Sequence, residues 1–511
     1  MSSEHAGRRE WIGLAVIALP CLLYSMDLTV LNLALPALSA DLRPSSTQLL
    51  WIVDIYGFMV AGLLIPMGTL GDRIGRRRLL MIGAAAFGVA SVLAAFARSA
   101  EMLIAMRALL GVAGATLAPS TLSLIRNMFH DPAQRTVAIG VWISSYSVGA
   151  AIGPLVGGLL LEYFWWGSVF LLSVPVMLLL LLAGPMLLPE FRDPDAGRPD
   201  LPSIVLSLAS VLAVIYGLKR MAEGGWSWPA ALALIAGVLT GIAFLRRQGR
   251  LDDPLIDLRL FRRPVFSAAL ASYSLGCFVL FGVYLFIGQY LQLVLELTPL
   301  QAGLWTLPWA LSFVVGSMLT PVLVRRVAPA AVVTGGLVLA AAGFAVLMQP
   351  FLHIGLAVIV AGTVILSLGL APVFTLATDL VVGAVPPERA GVASAISETS
   401  SEFGGALGIA VLGSIGTAIY RTGLGGEAAT SISPDVLESA RSSLGAAAAI
   451  AAQSSEDLAA TLVSLSRQAF TQGLQVMSLI AACTMLVTAF AFKATVRMRP
   501  SNASLTIESR R

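Results

Sequence analysis

Fourteen times along its 511 residues the chain passes through about twenty mostly apolar residues, the length an α-helix needs to cross a bilayer. The windows lie near 11–35, 48–70, 79–97, 101–124, 136–160, 166–188, 203–220, 229–245, 265–292, 301–324, 330–349, 352–382, 391–419 and 471–493, here helices 1 to 14. In hydrocarbon every backbone N–H and C=O needs a partner within the chain, and for segments of this length the helix provides it. Charged residues make up 12% of the chain against about 25% in soluble domains, so little is left for a water-facing domain. Gly (48) and Pro (26) are frequent within the windows, as membrane helices tolerate. The expected fold class is an all-α polytopic membrane protein.

An even number of spans puts both chain ends on one face. With the ends in the cytoplasm, 24 of the 32 Lys+Arg are cytoplasmic and Arg107 lies within helix 4. Only Arg43, Arg98, Lys219, Arg220, Arg421, Arg441 and Arg467 are then external, which is the choice of the positive-inside rule. The net charge of +4 expresses that asymmetry, and no basic stripe points to nucleic acid. MSSEHAGRRE precedes an apolar run without a small-residue cleavage site, so the start reads as an uncleaved first helix.

Two echoes reveal an internal repeat. RTVAIGVWISSYSVGAAIGP (135–154) resembles RAGVASAISETSSEFGGALGI (389–409), and the pairs Gly149/Gly153 and Gly404/Gly408 correspond. GDRIGRR after helix 2 has a degraded counterpart, LVRRV, after helix 10. Both pairs are eight helices apart, which predicts a 6+2+6 plan. An N-terminal half spans 1–190, two inserted helices span 191–250, and a C-terminal half spans 251–495. A polar segment, 422–470, separates helices 13 and 14, and a cytoplasmic tail covers 496–511. An amphipathic hairpin and a partly disordered loop both suit that polar segment.

Three motifs sit on these helices. MGTLGDRIGRRRLL (67–80) places Gly68, Asp72, Arg73, Gly75, Arg76 and Arg77 in a tight turn, where glycines allow close approach. Asp72 can cap or pair with a neighbouring helix end, and the arginines suit carbonyl ends or lipid phosphates. SVGAAIGPLVGG (147–158) carries Gly149, Gly153, Pro154, Gly157 and Gly158 on helix 5, and LIAMRALLGVAGA (103–115) carries Arg107 on helix 4. Together they resemble the loop 2–3 gate, the antiporter signature and the helix 4 arginine motif of the major facilitator superfamily. Fourteen spans and MDLTVLNLALP on helix 1 resemble its drug:proton antiporters, nearest the QacA- and SmvA-type exporters of quaternary ammonium compounds. The chain departs from a related pump type: WALSFVVGSM, after Leu307-Pro308, lacks an acid, and Ser397-Glu398 replaces an acidic pair.

The resemblance implies a proton-coupled antiporter that exports lipophilic cations such as quaternary ammonium compounds, dyes and biguanides. It would sit in a bacterial inner membrane, contact membrane lipids, function as a monomer and need no cofactor beyond the proton gradient. A dedicated exporter of an endogenous antibiotic, lipid or siderophore fits the same fold. A non-transporting sensor fits less well, because GAAIGPLVGG and the membrane acids are retained.

Ionisable residues inside the windows carry the chemistry, because each is costly in lipid. Counting ~1.5 Å per residue, Asp27 lies ~24 Å along helix 1, while Asp54 and Arg107 each lie ~9 Å below the outer face. The three share a level. A carboxylate paired with Arg107 stays ionised and, once separated in a dry site, takes a proton. A static pair would instead only fix packing. Glu398 and Glu402 share a face of helix 13 at ~12 and ~18 Å depth. Tyr24 and Trp51 each precede an acid by three residues, which suits a lipophilic cation. Trp142, Tyr146, Trp305 and Trp309 are further candidates for the cavity wall, and Trp51 also suits an interfacial belt. Asp379 reads as interfacial.

Exporting a monocation against one proton is electrically neutral, and a dication needs two. Lys219 and Lys493 are in no phosphate loop, which argues against ATP drive. His5, His130 and His353, like Cys21, Cys277 and Cys483, have no metal-ligand spacing.

Overall fold

The computed structural model describes residues 5–192, 200–224, 227–251, 254–348, 355–424, 432–441 and 443–497. Among them, fourteen helices are long and apolar enough to cross a membrane. They are α1 (Arg8–Leu42), α2 (Ser46–Ile74), α3 (Arg76–Ala95), α4 (Ala100–Met128), α5 (Pro132–Tyr163), α6 (Ser168–Leu187) and α7 (Leu201–Gly224). The remainder are α8 (Trp228–Gln248), α9 (Pro264–Gln289), α10 (Pro299–Leu323), α11 (Pro329–Leu347), α12 (Leu356–Gly383), α13 (Ala390–Gly423) and α14 (Glu456–Arg497). The face holding the α2–α3 turn is called inner and its opposite outer.

Local sequence sets the helix ends. Ser45 and Gln48 form a capping box at α2, as Thr298 and Gln301 do at α10, ahead of Pro299 at the first turn. Asp131 caps α5 just before Pro132. Gly75, at φ +112°, separates α2 from α3 in one residue, a conformation that favours glycine.

The helix pairing repeats. α1 packs on α5, α2 and α3 on α4, and α3 on α6; eight helices later α9 packs on α13, α10 and α11 on α12, and α11 on α14. The repeat extends to atoms. A methyl on Gly149 of α5 would strike the Leu22 carbonyl of α1, while methyls on Gly404 and Gly408 of α13 would strike the Ser274 and Phe278 carbonyls of α9. In lipid no hydrophobic effect drives helices together, so small residues that let backbones touch supply the dispersion contact. The pairing is consistent with two six-helix halves.

α7 and α8 pack on each other through Gly237 and Val214. α7 also lies across both halves: Leu208 and Leu212 meet Gly62 of α2, and Val214 and Leu218 meet Ala410 of α13. The inserted pair therefore covers the α2–α13 seam.

Between α13 and α14, two short helices, Pro434–Ala440 and Leu444–Ala451, form a small core with Ile432 and Leu462. Residues 425–431 and 442 of the polar segment, and 498–511 of the tail, lie outside the described residues. α14 starts at Glu456, well before its apolar window at 471, because its first turns pack Leu458, Leu462 and Leu465 against these helices.

Candidate functional site

The two halves are tied at the inner face. Gly68 of α2 lies so close to α13 that a methyl there would be 2.6 Å from Ala395 Cβ and 2.8 Å from the Gly391 carbonyl oxygen. Asp72 forms an ion pair with the buried Arg76 and faces the first-turn amides of α13 at Gly391 and Val392. A helix N-terminus attracts an anion, so the carboxylate of one half is seated on the dipole of the other. Arg76 also donates to the Gly68 carbonyl (2.7 Å), and a methyl on Gly391 would coincide with its guanidinium. Arg77 donates to the Leu188 and Pro185 carbonyls, and Glu190 accepts from the Arg77 and Arg78 amides, which holds the turn from α6. Arg73 is in the last turn of α2.

A second inner tie joins α5 to α12. Arg135 Nε donates to Asp379 Oδ1 at 2.6 Å and Thr136 donates to Oδ2 at 2.9 Å. Asn127 reaches the Pro387 carbonyl at 3.3 Å. Asp379, expected only as interfacial, is thus a cross-half partner.

Deeper in, Arg107 Nη1 donates to Asp27 Oδ2 at 2.7 Å. Nε donates to the Ile52 carbonyl (2.9 Å) and Nη2 to the Val53 carbonyl (3.3 Å), and Tyr56 offers its ring face at 4.9 Å. The guanidinium is 1% exposed and Asp27 16%. The structure brings these two predicted residues together and locks the arginine in place.

Asp54 does not join them. It shares their level, yet its carboxylate pairs with Lys219 of α7, whose ammonium lies 5.0 Å from the Phe58 ring centroid. Level along a helix says nothing about azimuth, so the expected grouping by depth divides into two separate pairs. Lys219 was missed as a partner because 165 residues separate it from Asp54.

The carboxylates of α13 meet aromatic residues of the other half. Tyr24 Oη donates to Glu402 Oε1 at 2.7 Å, so Tyr24 serves Glu402 and not the Asp27 one turn away. Tyr24 touches Tyr56 (5.8 Å between centroids) and Tyr146 (5.9 Å), and Tyr146 touches Trp142 (5.0 Å). Glu398 Oε1 is buried without a hydrogen-bond partner. Neither glutamate belongs to an ion pair among the described residues.

The other predicted residues are dispersed. Trp142 is 1% exposed with Nε1 bonded to Thr121, so it backs the cluster instead of lining a cavity. Trp51 is 38% exposed, near the outer end of α2, and edges onto Phe58. Trp309 is buried against Tyr284 within the C-terminal half, and Trp305 is 43% exposed. No described contact joins either to the glutamates. Of the antiporter motif, Gly149 and Gly157 meet α1, Gly153 is buried, Gly158 meets open space, and the Pro154 side chain lies outside the described residues.

Repeated helix pairs whose acids and aromatics face one another across a seam define a polytopic membrane transporter. The chain matches the Major Facilitator Superfamily over residues 17–409, and it belongs to that superfamily. It is 45% identical to the multidrug efflux pump LfrA of Mycolicibacterium smegmatis, over 96% of each chain. It is 38% identical to the methyl viologen resistance protein SmvA of Salmonella typhimurium, over 79% of this chain and 82% of that one. The crystal structure of the human organic anion transporter MFSD10 shares the fold, with a TM-score of 0.62 at 17% identity over 94% of this chain and 99% of that one.

Proposed function

We propose that the protein is a proton-coupled antiporter that exports lipophilic cations from the cytoplasm, with both termini cytoplasmic. The observation that carries this reading is the Glu398–Glu402 site. Two carboxylates with no cationic partner among the described ion pairs stand against a wall of tyrosines, an environment that attracts an organic cation through charge and ring faces. The names of LfrA and SmvA support drug efflux as the activity.

The Asp27–Arg107 pair supplies the coupling. A proton on Asp27 removes its charge from the pair with Arg107 and biases the halves toward another arrangement. Closure at the inner face by Asp72, Arg76 and Asp379 suits the state that exchanges cargo with the outside. The proton gradient is the drive, with protons and small cations as partners and lipids as surroundings.

The test is ethidium efflux from proteoliposomes under an imposed pH gradient. Wild type should export ethidium only with the gradient, and Asp27→Asn should abolish the gradient response while ethidium still binds. Efflux indifferent to the gradient would overturn proton coupling, and failure to bind or move any cation would overturn the substrate class.

A further inference from the structure

Asp27 has a second side. Besides meeting Arg107, Asp27 lines a small cavity between α1, α3 and α6, together with Val30, Phe87, Ser91, Phe170 and Ser173. Every lining residue belongs to the N-terminal half, and none comes from α2, α4 or α13. The cavity is therefore separate from the seam where Glu398 and Glu402 meet the tyrosines. It lies toward the outer face: Ser91 is one turn from the end of α3, and Ser173 is near the start of α6.

The cavity offers about 20 Å³ to the centres of water molecules, enough for one water and too little for an organic cation. Its polar lining side chains are Asp27, Ser91 and Ser173; the two serine hydroxyls lie 2.7 Å apart, the Ser173 hydroxyl is also 2.8 Å from the Phe170 carbonyl, and the other lining side chains are apolar. A carboxylic acid residue, two hydroxyls and space for one water in one cavity are the elements of a short proton relay. Arg107 and Tyr56 are the titratable groups that face Asp27 from α4 and α2. α3 and α6 present only serine hydroxyls to the cavity, and Tyr146 of α5 faces Tyr24 and Cys21, one turn or more away.

We propose that Asp27 exchanges its proton with external water through this cavity, on a path inside the N-terminal half, while the cation moves between the halves. The proposal rests on the proton-coupled reading above. The proton passes from water to the Asp27 oxygen not bonded to Arg107, and no other bond changes. Proton and cargo then never compete for one opening, and they communicate through the Asp27–Arg107 pair.

Ser173→Val and Ser173→Thr add nearly the same volume but differ in the hydroxyl, and this pair tests the idea in proteoliposomes with ethidium. Ser173→Val should slow gradient-driven efflux about tenfold, with ethidium affinity within about twofold of wild type, whereas Ser173→Thr should keep the wild-type rate. A Val variant as fast as wild type overturns the proposal. So does an equal slowing by Val and Thr with binding intact, because the hydroxyl is then irrelevant. Ser91→Val and Ser91→Thr repeat the comparison from the opposite wall if position 173 does not tolerate branching. Absence of gradient-driven efflux in the wild type would instead remove the proton-coupled reading, a separate result.

Discussion

Tyr24 of α1 donates a hydrogen bond to Glu402 of α13 at 2.7 Å, so one phenol joins the two halves at mid-depth. Among the described residues, the charged side chains that otherwise tie the halves, Asp72 on the first-turn amides of α13 and Arg135 on Asp379, lie at the inner face. The two halves can rock only if this bond breaks or is exchanged for a contact with cargo.

Tyr24→Phe removes that bond and leaves the ring. A hydrogen bond to a charged acceptor contributes about 1.5–3 kcal/mol, so the conformational equilibrium should shift by about tenfold or more away from the closed inner face. Fluorescence energy transfer between dyes at the inner ends of α2 and α13 should show the shift. An unchanged distribution would mean that the bond holds nothing.

Arg107→Met should destabilise the protein by about 3–5 kcal/mol, because Asp27 is left without its counter-charge and the Ile52 and Val53 carbonyls lose their donor. Asp27→Leu combined with Arg107→Met should recover more than half of that loss, although gradient-driven transport stays absent. Thermal unfolding in detergent, analysed as a double-mutant cycle, measures both.

Gly391→Ala should fail to close the inner face. The added methyl occupies the position of the Arg76 guanidinium, which is buried and has nowhere to retreat. Fluorescence energy transfer between dyes at the inner ends of α2 and α13 should report a wider inner face in this variant, and efflux should fall. A separation equal to that of wild type would contradict the packing of Gly391 on Arg76.

Asp200, at the inner end of α7, accepts two hydrogen bonds from Arg247 of α8 (2.7 and 2.8 Å) and caps α7 through the Ser203 amide. The Arg247 bonds first, and Ser203 second, hold its carboxyl well below the usual value of 3.8. A depressed acid stabilises the fold above its unfolded value and loses that contribution as pH falls toward the folded value. Asp200→Asn should therefore lower the melting temperature slightly at neutral pH, and the difference from wild type should fade below about pH 4. A difference that is constant with pH would show that charge is not involved.

The fourteen spans were legible because lipid imposes one demand, twenty apolar residues per crossing, and every window became a helix. An echo was legible in the glycines of helices 5 and 13, and Gly149 and Gly404 each lie against a backbone carbonyl of the helix they pack on, consistent with a repeat. The Arg107–Asp27 pair followed from the cost of burying either alone. Asp54 was misjudged because rise per residue gives depth and no direction, and its partner Lys219 lies on an inserted helix. Tyr24 was placed with Asp27 by helical spacing, but spacing cannot show that the hydroxyl crosses to Glu402. The early start of α14 escaped notice because hydropathy reports only the part of a helix that lies in lipid.

That long helix has a mechanical meaning. From Glu456 to its apolar window at 471 α14 runs about 22 Å, and Arg467 fastens this part to the chain just after α9 through the Leu293 carbonyl and Glu296. The C-terminal half therefore carries a stiff lever. A rotation of a few degrees at the seam becomes a displacement of ångströms at the tip, and a dye placed there would follow that rotation.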